Sequence, residues 1–149
     1  MTTNTQYLAV ASAGSPSLRL FRSTDNATTW TLISDQPLVQ PPVANASGET
    51  VAWSPDKRML VIAHSVSPYL STYAFDDVDE TLTLLTGTQY AIPAAPSAVN
   101  CVAWSPDNTL LAIGHSTYPF SKFYRRDSRY LNSVSILSLP QVIAGSPVL

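Results

Sequence analysis

The segment 51–73 reads VAWSPDKRMLVIAHSVSPYLSTY, and a close copy, VAWSPDNTLLAIGHSTYPFSKFY, begins at Val102. The two copies stay in register without a gap at an offset of 51 residues. Matching positions carry the same residue or a close relative; examples are Leu60/Leu111, Ile62/Ile113, His64/His115, Pro68/Pro119 and Tyr73/Tyr124. Internal similarity at a fixed period of 20 to 50 residues is the signature of a repeat architecture in which each repeat is one supersecondary unit.

A fainter third copy precedes these two. The stretch LAVASAGSPSLRLF, which begins at Leu8, aligns with LVIAHSVSPYLSTY from Leu60 at an offset of 52. No VAWSPD segment stands before it, so the first repeat lacks its opening strand. The sequence therefore predicts a single repeat domain over 1–149, with repeats at about 7–50, 51–101 and 102–141 and a tail at 142–149.

Each repeat alternates short apolar runs with turn residues. In the third repeat the runs NCVAW, TLLAIGH and SKFYRR are separated by the turn segments SPDN and STYPF. Pro, Asp and Asn favour tight turns, and the apolar runs are β-compatible and short for helices. We predict an all-β chain of about three four-stranded antiparallel propeller blades with the first blade incomplete, which makes a partial β-propeller.

The composition limits the classes of partner. Hydrophobic residues make up 45% of the chain and charged residues 12%, against about 25% charged in typical domains. This scarcity of charge suits a surface covered by partners, and it equally suits a β-rich protein with a Ser, Thr and Asn surface. Net charge is -2 and the main basic run is KFYRRDSR, so nucleic acid is not an expected partner. No apolar stretch is long enough to span a membrane and the N-terminus does not resemble a signal peptide, so we expect no membrane partner and synthesis in a cytoplasm.

Four polar residues that recur in two repeats are candidates for a metal-binding or acid–base role. His64 and His115 occupy equivalent places at the end of a predicted second strand, where they could form a metal or acid–base pair or could bond to backbone carbonyls in turns. Repetition favours the turn role, because equivalent residues in two blades lie apart. Asp56 and Asp107 are predicted to be turn acceptors in the SPD segments. We therefore expect no catalytic residue among them.

Two other features carry possible chemistry. Cys101 is the one cysteine of the chain, and its place in an apolar strand predicts a small buried core residue, with a reactive thiol as the alternative. The acidic run DDVDE (76–80) could hold a calcium ion, but it reads more simply as an exposed hairpin. With no phosphate loop, nucleophile elbow or zinc spacing, the sequence predicts no catalytic residue, no cofactor site and no metal site.

The blade segment VAWSPDNTLLAIGHSTYPFSKFYRRD resembles the WD-repeat blade. The resemblance extends over roughly residues 7–139 of the chain. Two departures concern the family's motifs: the Gly-His pair before the first strand is absent, and Tyr73-Ala74 and Arg126-Asp127 or nearby residues replace Trp-Asp. The variant AHSxSPYLxxY, with blades near 50 residues, is similar to propeller repeats in virion proteins of tailed bacteriophages.

That resemblance implies a non-enzymatic structural protein of a bacteriophage virion, made in the host cytoplasm. It would serve as head (capsid) decoration or as part of the collar, tail or fibre, and it would act by protein–protein contact. One alternative is a cytoplasmic propeller scaffold that binds a partner protein. Another is an enzyme such as a glycan hydrolase, which rests on analogy of fold alone.

An open arc of blades leaves apolar faces exposed, so the sequence predicts association. The expected partners are other virion proteins or copies of the chain itself, in a homo-oligomer or a ring completed by further blades. Contact aromatics are predicted at one rim: Tyr69, Tyr118 and Phe120. The tail VIAGSPVL, with Val142 and Ile143, either adds a strand to the incomplete first blade of a neighbour or is an apolar tail that frays.

Overall fold

The computed structural model describes residues 5–13, 17–36, 48–85, 97–118, 120–127 and 130–133. Within these ranges the chain forms eleven β-strands in three antiparallel sheets, of three, four and four strands, and no helix. We call the sheets blades 1, 2 and 3. Their strands are, for blade 1, β1 (Gln6–Ala11), β2 (Leu18–Ser23) and β3 (Thr31–Gln36); for blade 2, β4 (Gly48–Trp53), β5 (Met59–His64), β6 (Leu70–Asp76) and β7 (Thr81–Leu84); for blade 3, β8 (Val99–Trp104), β9 (Leu110–His115), β10 (Ser121–Asp127) and β11 (Tyr130–Ser133).

Within each blade, every strand pairs with the next strand along the chain, so each blade is a simple antiparallel meander. Blade 1 has three strands because its β1 corresponds to β5 and β9, the second strands of the other blades. The predicted fold class is confirmed: the protein is an all-β partial propeller whose first blade is incomplete. The predicted repeat boundaries fall partly outside the described residues and stay a prediction.

The blades stack face to face because the middle blade is apolar on both sides. Along β5, side chains alternate between the two faces, and all six residues of the strand are buried. Leu60 and Ile62 face blade 1, whereas Met59, Val61 and Ala63 face blade 3. A strand that is covered on both faces reads as a continuous apolar run, which is why MLVIA lacks the alternation of a half-exposed strand.

Two hydrophobic clusters join the blades. The cluster between blades 1 and 2 contains Ala9, Leu18, Leu20, Leu60, Ile62, Tyr73 and Phe75. The cluster between blades 2 and 3 contains Met59, Val61, Ala63, Leu70, Val99, Leu111, Ile113 and Tyr124. Because a single blade cannot bury both of its faces, burial between neighbours is the main source of stability in this arrangement.

The prediction that Cys101 is a buried core residue is wrong, because its side chain is exposed. Cys101 pairs with Gly114 on the face of blade 3 that points away from blade 2, and no described blade covers that face. A Cβ at Gly114 would lie 2.7 Å from the Cys101 sulfur, so glycine is what leaves room for the thiol. The apolar surroundings of Cys101 in the sequence come from the strand itself and not from a neighbouring sheet.

The SPD segments close the turns between the first and second strands of blades 2 and 3. Ser54 is buried; its Oγ donates to the Asp56 carboxylate at 2.6 Å and accepts the amide N–H of Met59 at 2.9 Å. Lys57 and its equivalent Asn108 have φ values of 60° and 65°, in the left-handed region that short turns require. The prediction that Asp56 and Asp107 act as turn acceptors is confirmed, since each accepts the amide N–H two residues further on.

Across the described parts of the chain, the structure contains no helix of the length and hydropathy needed to cross a membrane.

Candidate functional site

The turns of the blades gather at two rims. The SPD rim contains the turns Ser54–Arg58, Asp77–Glu80 and Ser105–Thr109, and the end of β10 reaches it through a bond from the Arg126 amide to the Thr109 carbonyl. The histidine rim, at the opposite ends of the strands, contains the turn 65–69 and the turn residues 116–118 and 120. Within the described ranges, the ion pairs Arg22–Glu80 and Arg126–Asp56, which join neighbouring blades, both lie at the SPD rim.

An ion pair joins blades 2 and 3 at this rim. Arg126 Nη2 lies 2.8 Å from the Asp56 carboxylate, and Arg126 Nη1 donates to Asn108 Oδ1 at 2.6 Å. The Arg126 side chain is 6% exposed and the Asp56 side chain is 32% exposed. The guanidinium carbon also lies 5.8 Å from the centroid of the Trp104 ring, so a cation–π contact adds to the pair.

The environment of Asp56 keeps its carboxylate ionised. Burial is the largest influence and acts to raise its pKa, but the hydrogen bonds from Arg126, Ser54 and the Arg58 amide together outweigh it. The net result is that the pKa of Asp56 lies well below its usual range. A carboxylate held in this way is a weak base, so its role here is to anchor Arg126 and not to accept protons.

A cleft with a volume of about 610 Å³ opens beside this ion pair, and its walls combine charged and apolar groups. Clefts of this size are typical of small-molecule sites. Its charged groups belong to two acidic and two basic residues. The lining residues are Asp56, Arg58, Met59, Ala74, Phe75, Asp76, Leu85 and Arg126.

Two of the lining residues, Arg58 and Asp76, have free groups. Among the described residues, the Arg58 guanidinium has no hydrogen-bonding or ionic partner, and its side chain is exposed. Asp76 uses Oδ1 to accept the amides of Val78 and Asp79, at 2.9 Å and 3.3 Å, and no contact is found for Oδ2 within the same residues. The cleft thus offers a cation and a carboxylate oxygen that the fold does not consume.

A smaller cleft of about 360 Å³ lies next to it and shares Asp56, Arg58 and Phe75. A second ion pair crosses from blade 1 to blade 2 at this side of the rim: Arg22 Nη1 lies 2.9 Å from Glu80 Oε2. The Tyr7 hydroxyl donates to Glu80 at 3.3 Å, and burial together with the Glu80 charge raises the pKa of Tyr7.

The two histidines are buried and remain separate. His64 Nε2 lies 3.1 Å from Ser71 Oγ, and His115 Nδ1 lies 3.5 Å from Thr117 Oγ1. The backbone of Val66 and Leu70 also bonds to the His64 ring, and that of Thr117 to the His115 ring, so hydroxyls join the predicted backbone partners. Burial lowers the pKa of His64, and burial together with the charge of Lys122 lowers that of His115. The described residues contain no group of three or more metal-binding side chains, which leaves no calcium cluster at 76–80.

The predicted contact aromatics divide into two kinds. Tyr118 and Phe120 lie on the histidine rim with exposures of 79% and 60%, and their rings meet edge to face with centroids 6.1 Å apart. Tyr69 is half-buried and packs on the cluster between blades 2 and 3. Val142 and Ile143 lie outside the described residues. The use of these side chains in binding stays a prediction.

Sequence reasoning missed the pair Asp56–Arg126, although a signal for it was present. At the offset of 51, Arg126 is the equivalent of Phe75, whose ring packs edge to face on Trp53 with centroids 5.2 Å apart. Both residues lie against the tryptophan of their own blade, and Arg126 in addition reaches Asp56 of the neighbouring blade. A cation in one repeat where the other has an aromatic residue is therefore the signal for the pair.

Comparison with solved structures supports the propeller fold. A protein from Lactobacillus plantarum aligns with a TM-score of 0.64 and 17% identity over 87% of this chain. A candidate 6-phosphogluconolactonase from Bacteroides uniformis aligns with a TM-score of 0.64 and 13% identity over 87%. The periplasmic gluconolactonase PpgL from Pseudomonas aeruginosa aligns with a TM-score of 0.61 and 12% identity over 90%.

These alignments span 38%, 35% and 39% of the three solved chains, so this chain spans less than two fifths of their length. No model of a known protein family matches the sequence. No curated protein matches it either.

The comparisons correct three predictions. The predictions of a bacteriophage virion component of the head, collar, tail or fibre, of a non-enzymatic protein and of a virion location are wrong, because the similar structures are bacterial and two of the three are named as lactonases. The virion assignment rested on the style of the repeat, and strand and turn patterns of this kind follow from blade packing in general. At these identities the likeness establishes one thing about the chain itself: its fold is that of a β-propeller.

Proposed function

We propose that the chain belongs to a hydrolase of the gluconolactonase type, which opens the lactone ring of a small sugar acid. The observation that carries the proposal is the likeness of 87% to 90% of the chain to propellers with lactonase names. Since one fold hosts many functions, the chemistry must come from particular side chains. The cleft of about 610 Å³ at the SPD rim is the candidate place for it.

Lactone hydrolysis makes three demands on a site. Water must lose a proton as it adds to the ester carbonyl, the resulting oxyanion needs a positive partner, and the ring oxygen must regain a proton as its bond to the carbonyl carbon breaks. Asp76 has a free carboxylate oxygen that could take the proton from water. Arg58 has a free guanidinium that could hold the oxyanion or the carboxylate of the product.

The first experiment measures hydrolysis of glucono-1,5-lactone and its 6-phosphate by proton release, with the spontaneous rate subtracted. We expect turnover above background, a decrease in kcat of about 100-fold or more in Asp76→Asn, and a similar loss in Arg58→Ala. Asp76→Asn keeps an oxygen acceptor for the two turn amides. Arg125→Ala, which removes an exposed arginine outside the cleft, serves as the matched control and should retain full activity.

Binding of the product separates weak catalysis from a wrong proposal. Gluconate and 6-phosphogluconate should perturb the NMR signals of Arg58 and Asp76 in the wild-type chain. A rate equal to the spontaneous one, together with no perturbation by either product, would refute the lactonase proposal.

A second candidate function is the binding of a partner protein through Tyr118 and Phe120. Exposed aromatic pairs of this kind supply large contact area at low entropic cost, and interface hot spots are rich in tyrosine. If the pair binds a partner, Tyr118→Ala should weaken retention of that partner at least tenfold, whereas Val66→Ala at the same rim should not. Equal retention by both variants would count against this role.

Membership in the WD-repeat class is likewise a proposal, which rests on the VAWSPD segments.

A further inference from the structure

The stack of three blades has an open, largely apolar face at each end. We define flank 1 as the face of blade 1 that points away from blade 2; register pairing places Leu8, Val10, Phe21 and Leu32 on it, with Arg19 opposite Val10. We define flank 2 as the face of blade 3 that points away from blade 2, with Cys101, Ala103, Leu110, Ala112 and Phe123, and with Arg125 opposite Leu110. No described residue stacks a further sheet on either flank.

The apolar side chains of flank 1 are exposed, whereas the equivalent side chains in blades 2 and 3 are buried. Leu8, Val10 and Leu32 are 43%, 39% and 45% exposed. In blade 2 the equivalents of Leu8 and Val10 are Leu60 and Ile62, both fully buried against blade 1. In blade 3 the equivalents are Leu111 and Ile113, buried against blade 2. Flank 1 is therefore a packing face of the same type whose preceding blade is missing among the described residues.

Flank 2 is the opposite type of face. Its Leu110 and Ala112 are the equivalents of Met59 and Val61, which are buried beneath blade 3. Leu110 and Ala112 are half-buried, and Cys101 and Ala103 are exposed. The two flanks thus correspond to the two sides of the interface that already joins blade 2 to blade 3.

We propose that flank 1 of one copy of the chain packs on flank 2 of a second copy, head to tail, as blade 3 packs on blade 2. The occupant is a second copy because the complement of each flank is the other flank of the same chain. Two such contacts between two copies close a ring of six blades, and propellers have four to eight. The proposal does not depend on the lactonase activity.

A symmetric contact of flank 1 with flank 1 fits the structure less well. At both internal interfaces, the face with the Leu, Ile and Tyr side chains meets a face of the other type, and like faces never meet. Like faces would oppose bulky side chains such as Phe21 and Leu32 to their own copies. Head-to-tail packing repeats the geometry of the two internal interfaces, between blades 1 and 2 and between blades 2 and 3.

The first test is the mass of the full chain in solution by size-exclusion chromatography with light scattering. We expect twice the chain mass of 16.1 kDa. Val10→Glu on flank 1 and Ala112→Glu on flank 2 should each weaken association by about 100-fold or more, because each buries an unpaired carboxylate. Val78→Glu replaces a side chain that is 85% exposed in the turn 77–80, away from both flanks, and should associate like the wild type.

Mixing the two flank variants distinguishes the orientation. Each variant keeps one intact flank, so each should be monomeric alone, and the mixture should form a one-to-one heterodimer. A symmetric contact through flank 1 predicts instead that Ala112→Glu dimerises alone. Circular dichroism checks that both variants keep the β fold of the wild type.

The thiol of Cys101 gives an independent readout, because it lies on flank 2. Its reaction with a maleimide should slow at least tenfold when the wild-type chain is raised from the monomeric to the associated concentration range, and Val10→Glu should abolish that protection. A wild-type chain that stays monomeric and folded at high concentration would overturn the proposal. Association with a thiol that is equally reactive at all concentrations would also overturn it.

Discussion

At the scale of single residues, the two buried tyrosines of the repeat stand out. Tyr73 and Tyr124 occupy equivalent positions, their hydroxyls have no hydrogen-bonding partner among the described residues, and burial raises the pKa of each to about 12. A buried hydroxyl without a partner costs free energy of folding. Blade 1 has Phe21 at this position, so the fold already accepts a ring without the hydroxyl.

We therefore expect Tyr73→Phe to leave the free energy of unfolding unchanged or to raise it by up to about 1 kcal/mol. Urea denaturation followed by circular dichroism measures the change. Tyr73→Leu is the control, and it should destabilise because it removes the aromatic volume that packs between blades 1 and 2. A loss above about 1 kcal/mol in Tyr73→Phe would show that the hydroxyl has a partner.

Local residue roles were largely readable from the sequence, since an Asp after Ser-Pro dictates its own turn. The exposure of Cys101 could not be predicted from the sequence, because burial of a strand face depends on whether another sheet lies against it. The strand around Cys101 has the same composition in either case.

At the scale of elements, each second strand ends at a buried histidine at the histidine rim. His64 and His115 are the last residues of β5 and β9, and the pKa of each lies below 6.5, chiefly through burial. Both rings are therefore neutral in the folded chain near pH 7, while in the unfolded chain they would bind protons below about pH 6.5. Local spacing predicted the strand ends, but the hydroxyl partners depend on the adjacent strand and turn and could not be read from it.

Because the unfolded chain binds more protons at these two histidines than the folded chain does, the free energy of unfolding should decrease as the pH falls. Stability should be constant between about pH 7 and 8, and it should decrease as the pH falls below about 6.5, by at most about 1.4 kcal/mol per pH unit for each histidine. Thermal unfolding between pH 5 and 8 measures it. His64→Gln should show a shallower decrease over this window than the wild type, and an identical profile would contradict the assignment to His64.

At the scale of the whole molecule, the blades are joined by contacts that differ from one interface to the next. Tyr7, Phe75 and Trp53 form an edge-to-face aromatic series between blades 1 and 2, whereas Arg126 bridges blade 3 to Asp56 of blade 2. The period of the sequence predicted that the sheets stack. It could not predict this pair, since Asp56 and Arg126 are 70 residues apart and meet only once the blades have stacked.

We expect Arg126→Ala to lower the free energy of unfolding by about 2 to 3 kcal/mol, at the low end for a buried pair because water reaches part of Asp56. Arg126→Phe should recover at least half of the loss, since Phe75 fills the equivalent place against Trp53. Chemical denaturation of the three chains provides the comparison. A change below about 0.5 kcal/mol in Arg126→Ala would mean that the bridge contributes nothing to the stack.

Because one repeat has Phe75 where the other has Arg126, the second and third repeats require different neighbours and are not interchangeable. A gene in which the second and third repeats trade places would retain every strand, turn and apolar run. Its Arg126 would then face blade 1 and its Asp56 would lose the guanidinium, so the rearranged chain should assemble poorly despite an unchanged composition. The contact between Arg126 and Asp56 therefore forms only when the second repeat precedes the third, so the order of the repeats is set by these two residues as well as by the connecting segments.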